Sequence, residues 1–270
     1  MENFLNIIII GEELELITDT LKSIKEIIDL KRIRIIIITP QKTNLEKISF
    51  INNKNIFLFN DDGEGIFQAM NLGLSYTKFD NSFIWFLNSG DFAEKYSLKS
   101  KVLSILQTRK NDPDIIFYII KNKLTVINIL YWIFKKLNID DKNIIKILMI
   151  FLIFPASHQN IFIKKYLHKK FDLTYKVSSD FELIAEIIFK KNKSIRIEEG
   201  SIGQTSKGGH SEMNKYKGIK ERYFILREIF KTRNDKITLV FLKINLLLRI
   251  FILYVVDLIK NLKKYFYKLF

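Results

Sequence analysis

Short apolar runs alternate, over residues 1–100, with longer stretches in which apolar side chains return at every third or fourth position. Asn6–Ile10, Arg34–Ile38, Ile56–Phe59 and Phe83–Leu87 have the length and near-continuous hydrophobicity of strands buried on both faces. Between them, Glu13–Asp29 carries Leu14, Ile17, Leu21, Ile24 and Ile28 at helical spacing, and Ile66–Tyr76 reads as a second helix. Further on, the spacing predicts a helix over Lys99–Lys110 and a strand over Asp114–Ile120. A helix over Phe181–Lys190 and a strand over Ser194–Ile197 follow. Strands alternating with covering helices build a mostly parallel sheet, so the expected fold class is α/β, a Rossmann-like doubly wound layer.

Two later regions break this rhythm. Residues 121–154 are apolar but interrupted by Lys123, Lys135-Lys136, Asp140-Asp141 and Lys146. No stretch there reaches the roughly 18 apolar residues of a spanning helix. Two helices packed on the sheet, or one lying at a membrane surface, fit better. Ile237–Ile259 is almost wholly apolar except for Lys243, Asn245, Arg249 and Asp257, which share one half of a helical projection with Lys236, Lys260 and Lys264. Ionised groups on a spanning helix cost about 2.5–3.5 kcal/mol each near its centre. An in-plane amphipathic helix keeps them at the headgroups, with Lys260, Lys263, Lys264 and Lys268 facing an anionic membrane surface. Packing on the body of the protein, or on a partner subunit, is the alternative.

Composition narrows the field. The 270 residues suffice for a sizeable domain with an appendage, and 48% hydrophobic content excludes a disordered chain. The absence of cysteine removes disulfides, thiolate metal sites and a cysteine nucleophile. Met1-Glu2-Asn3-Phe4 lacks the basic stretch of a signal peptide, and Ile7–Ile10 is short for its apolar core, so a cytoplasmic protein is expected. A formal charge of +15 favours anionic lipid or phosphorylated substrates. Lys and Arg are scattered and no nucleic-acid-binding motif is present, so nucleic acid is not an expected partner.

Candidate chemistry begins where Phe83–Leu87 gives way to Asn88-Ser89-Gly90-Asp91. In open α/β sheets, ligands sit beyond the carboxyl ends of the strands. A carboxylate set there by a glycine turn suits Mg²⁺ or Mn²⁺, which take hard oxygen ligands. Upstream, Asp61-Asp62-Gly63-Glu64-Gly65 opens the helix that starts at Ile66, and the free N–H groups of such a start suit a diphosphate. Ala69 and Gly73 let that helix approach the sheet. Ser178-Ser179-Asp180 precedes the later helix, where Asp180 reads as an N-cap or as an acid facing a cleft.

Together these residues resemble the family 2 glycosyltransferases of the GT-A fold, in the branch similar to colanic-acid and O-antigen transferases. Gly65-Ile66-Phe67-Gln68-Ala69-Met70-Asn71-Leu72-Gly73 and Phe86-Leu87-Asn88-Ser89-Gly90-Asp91 match its early motifs in order and spacing. His158-Gln159-Asn160-Ile161-Phe162, Ser178-Ser179-Asp180-Phe181-Glu182 and Gly208-Gly209-His210-Ser211 match later ones. The resemblance spans about residues 5–215. It implies a nucleotide-diphosphate sugar as donor, a lipid-linked saccharide as acceptor in surface-polysaccharide synthesis, and inversion at the anomeric carbon. It places Mg²⁺ or Mn²⁺ on Asp91 and makes Asp180 the base that deprotonates the acceptor hydroxyl, with Glu182 as a fallback acid. Asp62, Gly65, Gln68, Asn71, Asn88 and Ser89 would surround the donor, and His158, Gln159 and His210 the acceptor or phosphate. The implied division is a transferase domain over 1–230 and a separate helix over 231–270. Within the domain, 1–100 forms the donor half and 101–230 the acceptor half.

Two departures stand against this resemblance. The acidic end of the second strand is replaced by Thr39-Pro40-Gln41-Lys42-Thr43-Asn44, and the first-strand loop is Gly11-Glu12-Glu13. They leave open a degenerate, non-catalytic relative that binds membrane or a partner enzyme.

Overall fold

The isoleucine-rich runs form the middle of a sheet whose alternate side chains serve two cores. A computed structural model of the chain describes residues 3–40, 52–107, 113–119, 126–191, 193–204 and 213–269. The strands are β1 (Leu5–Ile10), β2 (Ile33–Pro40), β3 (Ile56–Asp61), β4 (Phe83–Asn88), β5 (Phe92–Ala93), β6 (Ile115–Ile119), β7 (Ile161–Lys164), β8 (Ile195–Glu199) and β9 (Gly203–Gln204). Seven of them make one sheet in the order β3-β2-β1-β4-β7-β6-β8. Every neighbouring pair is parallel except those made by β7, which runs against both β4 and β6. The short β5 and β9 pair with each other outside the sheet.

Helices α1 (Leu14–Ser23), α2 (Lys25–Ile28), α3 (Ile66–Ser75), α4 (Leu98–Leu106), α5 (Val126–Lys136), α6 (Asp141–Ile150), α7 (Ser179–Lys190), α8 (Lys215–Lys231) and α9 (Lys236–Leu269) cover it. Ile7, Ile35 and Trp85 turn to one face, against Ile17 and Leu21 of α1 and Val102 of α4. Ile8, Ile36 and Ile84 turn to the other, against Ala69 and Met70 of α3, Leu148 of α6 and Ile184 of α7. The expected helix over residues 13–29 is two pieces, because the turn at Ile24 closes onto the Leu21 carbonyl before α2 restarts. Among the described residues of this region, α6 packs on the sheet: Ile144, Ile145, Leu148 and Met149 are fully buried.

The tail reverses one expectation. Asn245, Arg249 and Asp257, expected at lipid headgroups, turn toward the protein. Asn245 Nδ2 donates to the Ile150 carbonyl at 3.2 Å and Arg249 Nε to the Phe151 carbonyl at 3.3 Å. Asp257 meets Lys215 of α8 at 2.5 Å. The reason is local: α6 ends at Ile150, and the last carbonyls of a helix need donors that the helix cannot supply. The opposite side of α9, including Ile244, Leu247, Phe251 and Tyr254, is exposed. By length and composition, Lys236–Val255 is long and apolar enough to cross a membrane.

A pH-sensitive residue lies in the larger core. His168 packs edge-on against Phe86 and Phe171, with ring centroids 5.8 and 6.4 Å away. The residue as a whole is half-buried, yet both ring nitrogens are sealed from solvent and lack a hydrogen-bond partner. Burial, helped by the charge of Lys191, pulls its pKa down to about 3. Unfolded, the ring titrates near ~6.5. The unfolded chain therefore binds a proton that the folded one refuses, and stability is lost as pH falls from about 6.5 toward 3. The loss is about 1.4 kcal/mol per pH unit. His168→Phe should remove it: between pH 6.5 and 5 the wild type is expected to lose about 2 kcal/mol more than the variant in denaturant titrations. Equal losses in both proteins would rule this out.

Candidate active site

The carboxyl ends of β1, β2, β3 and β4 open into a cavity of about 750 Å³. Asp91 and Asp180, far apart in sequence, both line it.

Asp91 ends a turn that only glycine permits at its third position, since Gly90 has φ +84°. The residue is 3% exposed. Oδ2 accepts from the Asn88 N–H at 2.9 Å and from Gln159 Nε2 at 2.5 Å. The Thr20 hydroxyl of α1 donates to the Asp91 carbonyl at 2.9 Å and accepts from the Gly90 N–H at 3.0 Å, so α1 pins the turn from behind. At Gly11 a β-carbon would fall 2.0 Å from Ser89 Oγ, so the residue that follows β1 is a glycine where the chain lies against this turn.

His158 and Gln159 sit on a short 3₁₀ turn, His158–Asn160, tied to β4 by the Trp85 indole N–H, which donates to the Gln159 carbonyl at 2.8 Å. His158 Nε2 lies 3.2 Å from Asn88 Nδ2, and Nδ1 lies 3.7 Å from Asp180 Oδ2. An amide NH₂ can only donate, so Nε2 takes the Asn88 hydrogen bond and Nδ1 is the nitrogen that faces Asp180.

Asp180 is not the cap of its helix. Ser178 takes that position, and Glu221 of α8 accepts from the backbone N–H groups of Lys176, Val177 and Ser178 at 3.0, 2.9 and 2.9 Å. That frees the Asp180 carboxylate to face the cavity, with Oδ1 accepting from the Phe181 N–H at 2.7 Å. Glu182 is engaged elsewhere, 2.5 Å from Lys169.

No protein-family model matches the chain, and no curated protein matches it. Solved structures do. TarS 1–349 of S. aureus superposes with a TM-score of 0.56 at 16% identity, over 82% of this chain and 65% of that one, less than two thirds of its length. Glucosyl-3-phosphoglycerate synthase from Mycobacterium tuberculosis, solved with Mn²⁺, UDP and glucosyl-3-phosphoglycerate, superposes with a TM-score of 0.53 at 12% identity. That match covers 84% of this chain and 79% of the synthase. The fold is GT-A.

Within this GT-A fold the expected donor residues divide. Gly65, Asn88 and Ser89 line the cavity, as do His158 and Gln159. Asp62, Gln68 and Asn71 are not among its lining. β3 continues two residues beyond its predicted end, so Asp61, not Asp62, closes the strand beside Pro40 and enters the cavity. One Asp61 oxygen is sealed without a partner, and burial, followed by Glu12 and Asp62, raises its pKa. On α3, Ile66, Phe67, Ala69 and Met70 take the cavity side and Gln68 does not. Asn71 serves the scaffold instead: its amide donates to the Phe171 carbonyl at 3.0 Å and accepts the Phe171 N–H at 2.6 Å. His210 and residues 41–44 of the altered second-strand loop lie outside the described residues.

Sequence reasoning missed Glu12, Asp61, Arg222 and Arg249 as lining residues. Arg249 carried a signal, being an arginine within an apolar helix; Arg222 carried none.

Among the described residues, no three His, Cys, Asp or Glu side chains gather as a metal cluster. Oxygen donors of another kind do. Asn88 Oδ1 and Gln159 Oε1 are sealed from solvent without hydrogen-bond partners, while the two residues meet the Asp91 carboxylate through the Asn88 N–H and Gln159 Nε2. A carboxylate on residues that also carry unpartnered amide oxygens is a donor set whose chemistry fits a hard divalent cation.

Proposed function

We propose that this chain is a metal-dependent glycosyltransferase of the family 2 type, which moves a sugar from a nucleotide-diphosphate donor to a saccharide carried on a lipid. The observation that carries this reading is the shared cavity of Asp91 and Asp180, bridged through Asn88 and His158. Asp91, with Asn88 and Gln159, would hold Mg²⁺ or Mn²⁺, which when bound neutralises charge on the departing diphosphate. Asp180 takes the proton of the acceptor hydroxyl, and His158 beside it orients the carboxylate. One base and one displacement invert the anomeric carbon. Glu12 and Asp61 offer carboxylates to the ribose hydroxyls, in place of the acid missing after the second strand. The Mn²⁺ and UDP held by the mycobacterial synthase support a cation and a uridine-type donor. The exposed apolar side of α9 supports residence at the inner face of the cell membrane.

Thermal denaturation with a panel of nucleotide sugars tests the reading. A donor present at a hundred times its Kd should stabilise the protein by about 2.7 kcal/mol, and chelation of the divalent cation should remove most of the gain. If no nucleotide sugar at millimolar concentration shifts the melting temperature in the presence of Mn²⁺, the non-catalytic relative takes its place.

A further inference from the structure

The wall of the cavity next to Asp180 is positively charged, and nothing in the transferase reading uses that charge. Arg222 comes from α8 and Arg249 from α9. Arg222 gives one N–H to the Leu152 carbonyl at 3.3 Å, while its Nε is sealed from solvent with no partner. Its guanidinium is held over the rings of Phe154 and Phe181, 5.9 and 5.6 Å from their centroids. Arg249 gives its Nε to Phe151.

Neither arginine makes an ion pair among the described residues; the acids whose charge reaches Arg222 are Asp180 on the cavity wall and its chain neighbour Glu221. Desolvation disfavours the charge on both, and the charge of Arg249 further disfavours that on Arg222. Two like charges kept together in a desolvated wall cost stability unless an anion joins them. A rigid guanidinium at the cavity wall matches a phosphate, which it can grip with two hydrogen bonds.

Position decides which phosphate. Glu12, Glu13 and Asp61 line the cavity over β1 to β3, and Asp91 follows the next strand, β4, whose Asn88 reaches Asp180 through His158. A donor diphosphate neutralised at Asp91 leaves the arginine wall to the other substrate. Arg249 also belongs to the helix whose outer side is apolar and exposed, so this wall is continuous with the surface suited to lipid.

We propose that Arg222 and Arg249 form a phosphoryl subsite that grips a phosphate or diphosphate on the acceptor and presents the acceptor hydroxyl to Asp180. The proposal rests on the transferase reading and names its acceptor class. It makes α9 a wall of the acceptor site as well as a membrane contact.

Calorimetry on the full chain tests it, with phenyl phosphate as a soluble phosphomonoester probe and the donor site saturated by UDP and Mg²⁺. The wild type should bind the probe on top of UDP, and Arg222→Gln and Arg249→Gln should each weaken it about tenfold, the loss of a charged hydrogen bond. UDP affinity should stay unchanged in both. Arg222→Lys, which keeps the charge and loses the fork, should fall between and serves if Arg222→Gln does not fold. Flotation on phosphatidylcholine vesicles with and without a polyprenyl phosphate separates the sources. Arginine-dependent enrichment on doped vesicles identifies a lipid-linked acceptor; probe binding without enrichment identifies a soluble phosphorylated one. Unchanged probe affinity in both glutamine variants overturns the subsite, as does competition between the probe and UDP. If UDP itself fails to bind, the transferase reading falls first.

Discussion

Replacing Asp91 by asparagine should leave a folded protein that has lost nearly all cation-dependent transfer. Asp91 is the only carboxylate of the Asn88–Asp91 turn, and it is 3% exposed. Its charge is what a divalent cation would find there; Asn88 and Gln159 would add only neutral oxygens. Asparagine keeps an acceptor for the Asn88 N–H and so spares the turn, whereas alanine would leave that N–H and Gln159 Nε2 unpaired at about 1–3 kcal/mol each. Removing one preorganised stabiliser of a developing anion typically costs about 10²–10³ in kcat. Asp91→Asn is expected to fall in that range or below it, with cation affinity measured in the presence of UDP falling in parallel. Near-wild-type turnover, or full Mn²⁺ affinity with turnover lost, would refute the assignment.

The residues that carry this prediction were legible because the chain marks them twice. A run of buried apolar residues ends abruptly in Asn88-Ser89-Gly90-Asp91, and Gly90 demands a turn that L side chains avoid. The strand boundaries were legible for the same reason: isoleucine runs such as Ile7–Ile10 and Ile35–Ile38 fit little but a doubly covered sheet. What the sequence did not reveal is tertiary. Nothing local to Ile161–Lys164 says that it runs against its neighbours β4 and β6. A strand longer by two residues moved the cavity acid from Asp62 to Asp61, a shift that periodicity cannot resolve.

The tail shows the same limit more sharply. Spacing in Ile237–Ile259 identified which side of the helix is polar, but an amphipathic pattern does not say what each side meets. Lipid headgroups and the orphaned carbonyls of Ile150 and Phe151 satisfy Asn245 and Arg249 alike. In the fold the carbonyls win, and Arg249 comes to line the cavity. Asn71 is a parallel case. A polar residue within a recognisable motif was expected at the donor, while the structure spends both ends of its amide on Phe171.

Asp180→Asn should separate catalysis from binding. The substitution preserves shape, and the new amide can still face His158 Nδ1, so α7 and its Glu221 support remain in place. Only the capacity to accept a proton is lost. General-base catalysis is worth about 10²–10⁴ in rate, so kcat should fall by that factor while nucleotide and cation affinities stay within about twofold. A structural role for Asp180 would instead lower thermal stability and nucleotide affinity together. Because Asp180 and Asp91 meet at one cavity from separate elements, the two variants should fail differently: Asp91→Asn loses its cation, whereas Asp180→Asn keeps cation and donor bound and does not turn over.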